Sequence, residues 1–308
     1  MEKYEKEILQ SYIDGEKAIL QAIEKVYRDA LKRIEEKIAS LVAVAGVNAR
    51  QAIYQAEQQK AVKTQIQGIL EQFQADEFET VSEYLAKSYD DGFTSAMYAM
   101  HQQGLPCLLP IDKKQIVKAV RLDTKLKEDL YTTLGVDVTK LKKAVTSAIS
   151  RGIASGMLYS EIVQNVVNAT HAPKARVRTI IRTEAGRIQE QATMDAAKAA
   201  IAKGANVVKQ WCAIRDGKTR PTHRRLHNQI REIEEPFEID GKQAMQPHDF
   251  GLPEEDCNCR CTMLIRARAA LDEDELKKLE KDAAFWGLDK TKDIEDFRKK
   301  YLHAVEDK

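Results

Sequence analysis

Three cysteines alternate in Cys257-Asn258-Cys259-Arg260-Cys261, and two histidines, His223 and His227, stand four residues apart upstream. Alternate side chains on an extended segment share a face, so the three thiols can converge. Residues four apart on a helix also share a face, which aligns the two imidazoles. Thiolate sulfur and imidazole nitrogen are the ligands of structural zinc, which takes four of them. His223, His227, Cys257, Cys259 and Cys261 are therefore the candidate metal ligands and zinc the candidate cofactor, although Cys-x-Cys is tighter than the commoner Cys-x2-Cys spacing. The competing reading is a thiol-lined core packed on Trp211. An enzymatic alternative, a metal-dependent nuclease or hydrolase, uses His223, Asn228 and His248 around a cysteine-bound ion. A deaminase is excluded, because His-x-Glu and Pro-Cys-x-x-Cys are both missing. No phosphate-binding glycine loop is present either, since Gly152 and Gly156 lack the preceding strand and the following Lys-Ser/Thr.

The same region is basic. From Lys174 to Arg231 there are 14 Lys and Arg against 4 acids, in a chain whose formal net charge is only +1. Lys174, Arg176, Arg178, Arg220, Arg224 and Arg225 are candidate contacts to the DNA backbone. Charge of this kind gives salt-sensitive, sequence-independent binding, and no helix-turn-helix or RNA-binding motif suggests base readout. Part of it is equally readable as solvated surface. Within Arg182-Thr183-Glu184 and Arg187, the Glu184 carboxylate shares a helix face with Ile181 and Ile188. Placement among apolar neighbours is costly unless the charge is paired, and Arg187 is the nearest partner in sequence. An ion pair buried between helices is favoured over acid-base work.

These residues need elements to hold them. Thr170 to about Lys203 reads as a helix opened by Pro173 and stopped by Gly204. Asn206 to Ile214 alternates as a strand ended by the Asp216-Gly217 turn. A short helix from Pro221 carries both histidines, a weak strand surrounds Phe237 and Ile239, Gly241 to Glu255 reads as a loop, and Arg260 to Arg266 alternates again. Upstream, apolar residues at helical spacing run from Tyr4 to about Ala45, then from Asn48 to Gln74 and from Glu79 to Gln103. Gly104 to Pro110 makes a turn that contains Cys107. Shorter amphipathic pieces follow, through Leu141, Val145, Ile149 and Ile153 and then Ile162, Val166 and Val167. After Ala270 comes a charged helical tail with Leu276, Leu279, Phe285, Trp286, Ile294, Phe297 and Tyr301, expected to pack on a neighbour or dock to a partner.

The expected fold is mainly α with a small α+β module. An elongated helical part, residues 1–169, precedes a module with a short antiparallel sheet, residues 170–266, and a helical tail, residues 267–308. Charged residues at 31% and aromatics at 6% fit long solvated helices better than a sandwich or barrel. The longest nearly apolar run, Ile38 to Val47, is far short of the roughly 20 residues of a bilayer span, and the start lacks the apolar core of a signal peptide. A soluble chain made in the cytosol is expected. An odd, crowded set of five cysteines suits reduced thiols or a metal, not a secreted disulfide framework.

The order Arg182-Thr183-Glu184, Arg187, Trp211, Asp216, Arg220, His223, Gly241, Pro253, Cys259-Arg260-Cys261 resembles the phage head morphogenesis domain of the Mu F-like minor head proteins. The helical front half is most like those of siphophages of Gram-positive hosts. Cys257 and Gln229 depart from the pattern. The resemblance implies a virion protein at the portal vertex or head interior, made in the host cytoplasm and acting in head assembly, genome packaging or DNA ejection. It implies the portal protein, the capsid or scaffold interior and double-stranded DNA as partners, and no enzymatic activity. A purely helical scaffold or interaction protein is the remaining alternative, one that leaves the basic, cysteine-rich module without a use.

Overall fold

The structure is a computed structural model that describes residues 2–44, 56–105, 139–141, 143–145, 147–148, 151, 159–169, 171–214, 216–269, 277, 281, 284–285 and 287–306. It is mainly helical with small antiparallel sheets, the expected class. In chain order come α1 (Lys3–Val44), α2 (Ala56–Gln102), α3 (Tyr159–Ala169), α4 (His171–Ile201), β1 (Asn206–Cys212), α5 (Pro221–Leu226), β2 (Ile230–Arg231), β3 (Phe237–Ile239), β4 (Lys242–Ala244), α6 (Pro253–Asp256), β5 (Thr262–Ala269), a 3-10 turn (Leu288–Lys290) and α7 (Ile294–Glu306). Cys107, Ile149, Ile153, Leu276, Leu279 and Trp286 lie outside the described residues, as do residues 48–55 of the expected second helix.

One departure is α2. Two helices were expected across residues 48–103, yet a single helix runs from Ala56 to Gln102. Ala75 to Phe78 contains neither Gly nor Pro, so nothing ends the helix there. Phe73, Glu77 and Val81, four apart, are all buried along one face. Gln72 Nε2 donates to Asp76 Oδ1 at 2.7 Å and Thr80 Oγ1 to the Asp76 carbonyl at 2.7 Å. The helix ends where Gly104 takes φ +85° and Leu105 N–H reaches back to the Met100 carbonyl.

Two compact units are built from non-consecutive segments, one from residues 1–16, 84–123 and 179–308, the other from 17–83 and 124–178. The second is a helical unit. Its core sets Tyr27 and Ile34 with Leu70, Phe73, Leu141 and Val145. Tyr27 meets Phe73 edge to face at 4.7 Å and donates its hydroxyl to buried Glu77 at 3.0 Å.

The first unit holds the sheets. In it α2 crosses α4 so closely that a Cβ on Gly92 would lie 2.4 Å from the Gln189 carbonyl oxygen. Ala192, Ala196, Ala197 and Ala200 continue the buried face of α4. Helix α7 places Ile294, Phe297 and Tyr301, at helical spacing, in the same core as Phe93 and Met97. Buried Arg298 fastens it, pairing with Asp91 at 3.2 Å and Glu295 at 2.7 Å and donating to Ser11 Oγ.

The three-stranded sheet has the order β2-β1-β5, both pairings antiparallel, with Lys209 opposite Arg231 and Ile265, and Trp211 opposite Met263. The outer edge of β5 is met by side chains. Gln103 donates to the Ile265 carbonyl at 2.8 Å and accepts the Ala267 N–H at 3.0 Å, and Glu190 accepts the Met263 N–H at 2.7 Å. The expected loop from Gly241 to Glu255 instead contains β4 and α6. Asp240 and Gly241, at φ 52° and 73°, make the two-residue turn that pairs β3 with β4.

Candidate functional site

Pro221 opens α5 at its first turn, and the helix turns His223 inward until it is only 2% exposed. His223 Nδ1 lies 3.4 Å from Cys259 Sγ and 3.4 Å from Cys261 Sγ, on the segment that leads into β5. The three ligand atoms lie within 4.8 Å of one another, and all three residues are buried. Trp211, wholly buried on β1, stands edge-on to His223 at 5.7 Å and to Phe237 at 5.2 Å, while Phe250 stacks on His223 at 6.0 Å. These rings keep water from the thiols.

On the far side of the imidazole, His223 Nε2 lies 3.2 Å from Glu255 Oε2 on α6. Burial pushes the Glu255 carboxyl up, but the Lys242 ammonium at 2.7 Å and the Thr222 hydroxyl more than offset it, and the group sits below the usual range. Glu255 thus stands on the side of the ring away from the sulfurs, where a carboxylate can orient a metal-binding imidazole. The hydrogen bond from Cys261 holds the Cys259 thiol well below its ordinary range, helped by His223 and His248, and Cys261 is pushed up in turn. A cluster of two thiols and one imidazole, one sulfur predisposed to ionise, suits a soft or borderline divalent ion such as zinc.

Of the five candidate ligands, the structure brings His223, Cys259 and Cys261 together. His227 caps the end of α5, where its Nδ1 accepts the Ala213 N–H at 3.2 Å. Cys257 ends α6, half-buried, with its carbonyl bound to Arg220. Neither belongs to the converging group.

The other singled-out residues serve the frame. Arg182 forms a two-pronged pair with Glu16 on α1, and Thr183 Oγ1 accepts the Asn258 N–H at 3.1 Å. Asp216 takes Arg260 at 2.7 Å and the Lys218 N–H at 2.9 Å, and the Arg260 hydrogen bond holds its carboxyl below the usual range. Glu184 pairs with Arg187 at 3.1 Å, but both are half-exposed, so the expected burial of this pair does not occur. The face of α4 that meets the sheet lies one and a half turns on. Its buried carboxylate is Glu190, which accepts Thr262 Oγ1 at 2.6 Å as well as the Met263 N–H. For the enzymatic alternative, Asn228 is exposed and accepts Gln210 Nε2, whereas His223 and His248 are buried.

Arg176 and Arg178 are exposed on α4, and the Lys174 side chain lies outside the described residues. Arg224 and Arg225 are exposed on α5, where Arg224 reaches the Asp216 and Gly217 carbonyls and Arg225 pairs with Asp240. Residues 174–178 fall in one compact unit and 220–225 in the other. Sequence reasoning missed Lys209, whose fully buried ammonium donates to the Ile233 and Met245 carbonyls at 2.9 and 2.7 Å over the Phe237 ring. Burial lowers it to about 8. No helix among the described residues is long and apolar enough to cross a membrane.

Residues 143–264 match the family described as Phage Mu protein F like protein. The chain is 27% identical over 277 residues to the minor head protein GP7 of Bacillus phage SPP1, covering 85% of this chain and 87% of that protein. It is 30% identical over 244 residues to the NAD(+)--arginine ADP-ribosyltransferase EFV of Enterococcus faecalis, covering 78% of this chain. The chain spans about half, 49%, of that relative's length. No solved structure matches the chain. The matched segment carries Trp211, β1 and the thiol–imidazole cluster, so residues 143–264 are similar to the phage Mu protein F-like family.

Proposed function

We propose that this chain is a structural component of a tailed-phage virion, bound at the portal or the capsid interior and acting in head assembly, genome packaging or DNA ejection. The observation that carries the reading is the near end-to-end match to the SPP1 minor head protein, 85% of one chain against 87% of the other. In this reading the chain is not an enzyme. The ADP-ribosyltransferase activity belongs to the name of a protein of which the chain covers 49%, and the cluster's His223, Cys259 and Cys261, at 2%, 3% and 5% exposure, are too enclosed to meet a polymer substrate. Exposed Arg176, Arg178, Arg224 and Arg225 give the protein a non-specific hold on packaged duplex through phosphate contacts. The His223, Cys259 and Cys261 cluster takes a zinc ion in a structural role, which is supported by two converging thiols and an imidazole whose other nitrogen faces a carboxylate. Mass spectrometry of gradient-purified particles tests the central reading. The protein is expected in procapsids and virions and in portal pull-downs. A protein that stays in the soluble lysate, with particles that assemble and fill without it, would overturn the assignment.

A further inference from the structure

Two sulfurs held side by side can join as well as share an ion. Cys259 Sγ and Cys261 Sγ lie within 4.8 Å of each other, and each is 3.4 Å from His223 Nδ1. The Cys261 N–H also points back to Cys259 Sγ at 3.4 Å, so the chain is turned at Arg260 and strand pairing begins only at Thr262. The backbone around the pair is fixed. Asn258 holds φ 57° and gives its N–H to Thr183 Oγ1 at 3.1 Å, the Cys259 N–H reaches the Asp256 carbonyl at 3.2 Å, and Arg260 pairs with Asp216 at 2.7 Å. An S–S bond is about 2.05 Å long, so closure asks the sulfurs to approach by less than roughly 3 Å, the order of distance that one side-chain rotamer change moves a sulfur. Cys212 is buried at the end of β1 and Cys257 is half-buried at the end of α6, and neither belongs to the converging group.

We propose that Cys259 and Cys261 are a two-electron redox pair, oxidised by a peroxide to an intrachain disulfide. The enclosure sets the class of oxidant. Sulfurs at 3% and 5% exposure are closed to a protein or a bulky disulfide, whereas hydrogen peroxide is little larger than water and enters by the residual opening those figures record. One thiol gives its proton to His223 Nδ1 and attacks a peroxide oxygen; the O–O bond breaks, and the departing hydroxide takes that proton and leaves as water. The sulfenic acid so formed is attacked by the second thiol, whose proton leaves by the same nitrogen. The S–S bond forms, the S–O bond breaks and a second water departs. Two thiols and one peroxide thus give one disulfide and two waters, the sulfurs losing two electrons and the peroxide gaining them. The disulfide consumes both sulfur ligands, so the oxidation state decides whether the centre can hold an ion. The inference goes beyond the zinc reading and does not depend on it, because the same two sulfurs join whether or not an ion precedes the oxidant.

The test uses full-length protein freed of metal by chelator, treated with hydrogen peroxide, blocked with iodoacetamide in denaturant and digested with trypsin. Cleavage after Lys242, Arg260 and Arg266 places Cys257 and Cys259 in one peptide and Cys261 in the next. Mass spectrometry should find those two peptides cross-linked, and dithiothreitol should separate them. The cross-link should persist in Cys257→Ser and vanish in Cys259→Ser. In protein unfolded by urea all three pairings among Cys257, Cys259 and Cys261 should form, so a single pairing in the native protein reports the fold and not mere closeness in sequence. Both thiols recovered alkylated, separate sulfur acids without a cross-link, a bond inside the Cys257 and Cys259 peptide, or a native mixture like that in urea would each overturn the proposal. A parallel arm loads the protein with zinc first, and one zinc released per disulfide is expected. Protein that takes up no zinc yet still forms the cross-link leaves this proposal standing while the zinc reading falls, and zinc uptake without any cross-link does the reverse.

Discussion

Replacing Glu190 with Gln should remove one identifiable component of the protein's pH dependence. The carboxylate is 2% exposed between α4 and β5, where it accepts the Thr262 hydroxyl at 2.6 Å and the Met263 N–H at 2.7 Å. Burial pushes its carboxyl up to about 8 from a reference of 4.5, even though those two hydrogen bonds pull it down. Below about pH 4.5 the proton is bound in both folded and unfolded chains. Between there and about 8 the folded chain keeps a proton that the unfolded chain has lost. The stabilisation is therefore fully present in acid and is lost as the pH rises through 8. At about 1.4 kcal/mol per unit the ceiling is about 5 kcal/mol, and relaxation around the charged form should reduce it to about 2–4 kcal/mol. Gln fills the same space, can accept the Met263 N–H, and has no proton to lose. The assay is urea unfolding by tryptophan fluorescence at intervals from pH 5 to 9, read as wild type minus variant. Lys209, lowered to about 8 from 10.5, contributes with the opposite sign above pH 8 but cancels in that difference. Wild type should lose about 2–4 kcal/mol relative to Glu190→Gln across the range. A difference that stays flat would refute the argument.

Other outcomes follow from contacts described above. Gly92→Ala forces a Cβ to within 2.4 Å of the Gln189 backbone and should cost about 1–3 kcal/mol by thermal melting, because a backbone cannot move aside as a side chain can. Lys209→Met leaves the Ile233 and Met245 carbonyls without their buried donor and should destabilise by about 2–4 kcal/mol in urea titrations at pH 7. If about five phosphates are covered, log affinity for duplex DNA should fall against log salt with a slope of roughly −4.5. Reversing Arg224 and Arg225 to Glu should flatten it by about 2 in fluorescence anisotropy without creating sequence preference.

The elements that could be read directly were those with local causes. Pro221, Gly204 and the alternation from Asn206 onward each fix backbone conformation within a few residues, and α5, the end of α4 and β1 lie where those signals put them. The reading of Gly241 to Glu255 as loop missed β4, because a three-residue strand on each side of the turn is too short to show alternation. Glu184 and Glu190 show what periodicity cannot give. Both lie on α4 beside apolar residues, and only the position of β5 decides that Glu190 is enclosed while Glu184 stays half-exposed. His248 was named in the sequence only within the enzymatic alternative, and nothing local signalled its burial. It lies in an irregular loop, and its enclosure depends on Gly186, 62 positions earlier in the chain.

The closure of the β5 edge has a consequence for the order in which the molecule is made and for its company. Gln103 and Glu190 occupy the hydrogen-bonding positions that a neighbouring strand would take, so a second copy meets no open ladder there. Both residues leave the ribosome before Thr262 does, and Gln103 precedes Ile265 by 162 residues. Because chains fold from the N-terminus as they are synthesised, the emerging strand finds its blocking groups already made. Wherever many copies of one chain are synthesised together, open strand edges are the sites at which they pair. An edge sealed from within the same chain, by residues translated earlier, leaves little time in which one nascent copy could recruit another.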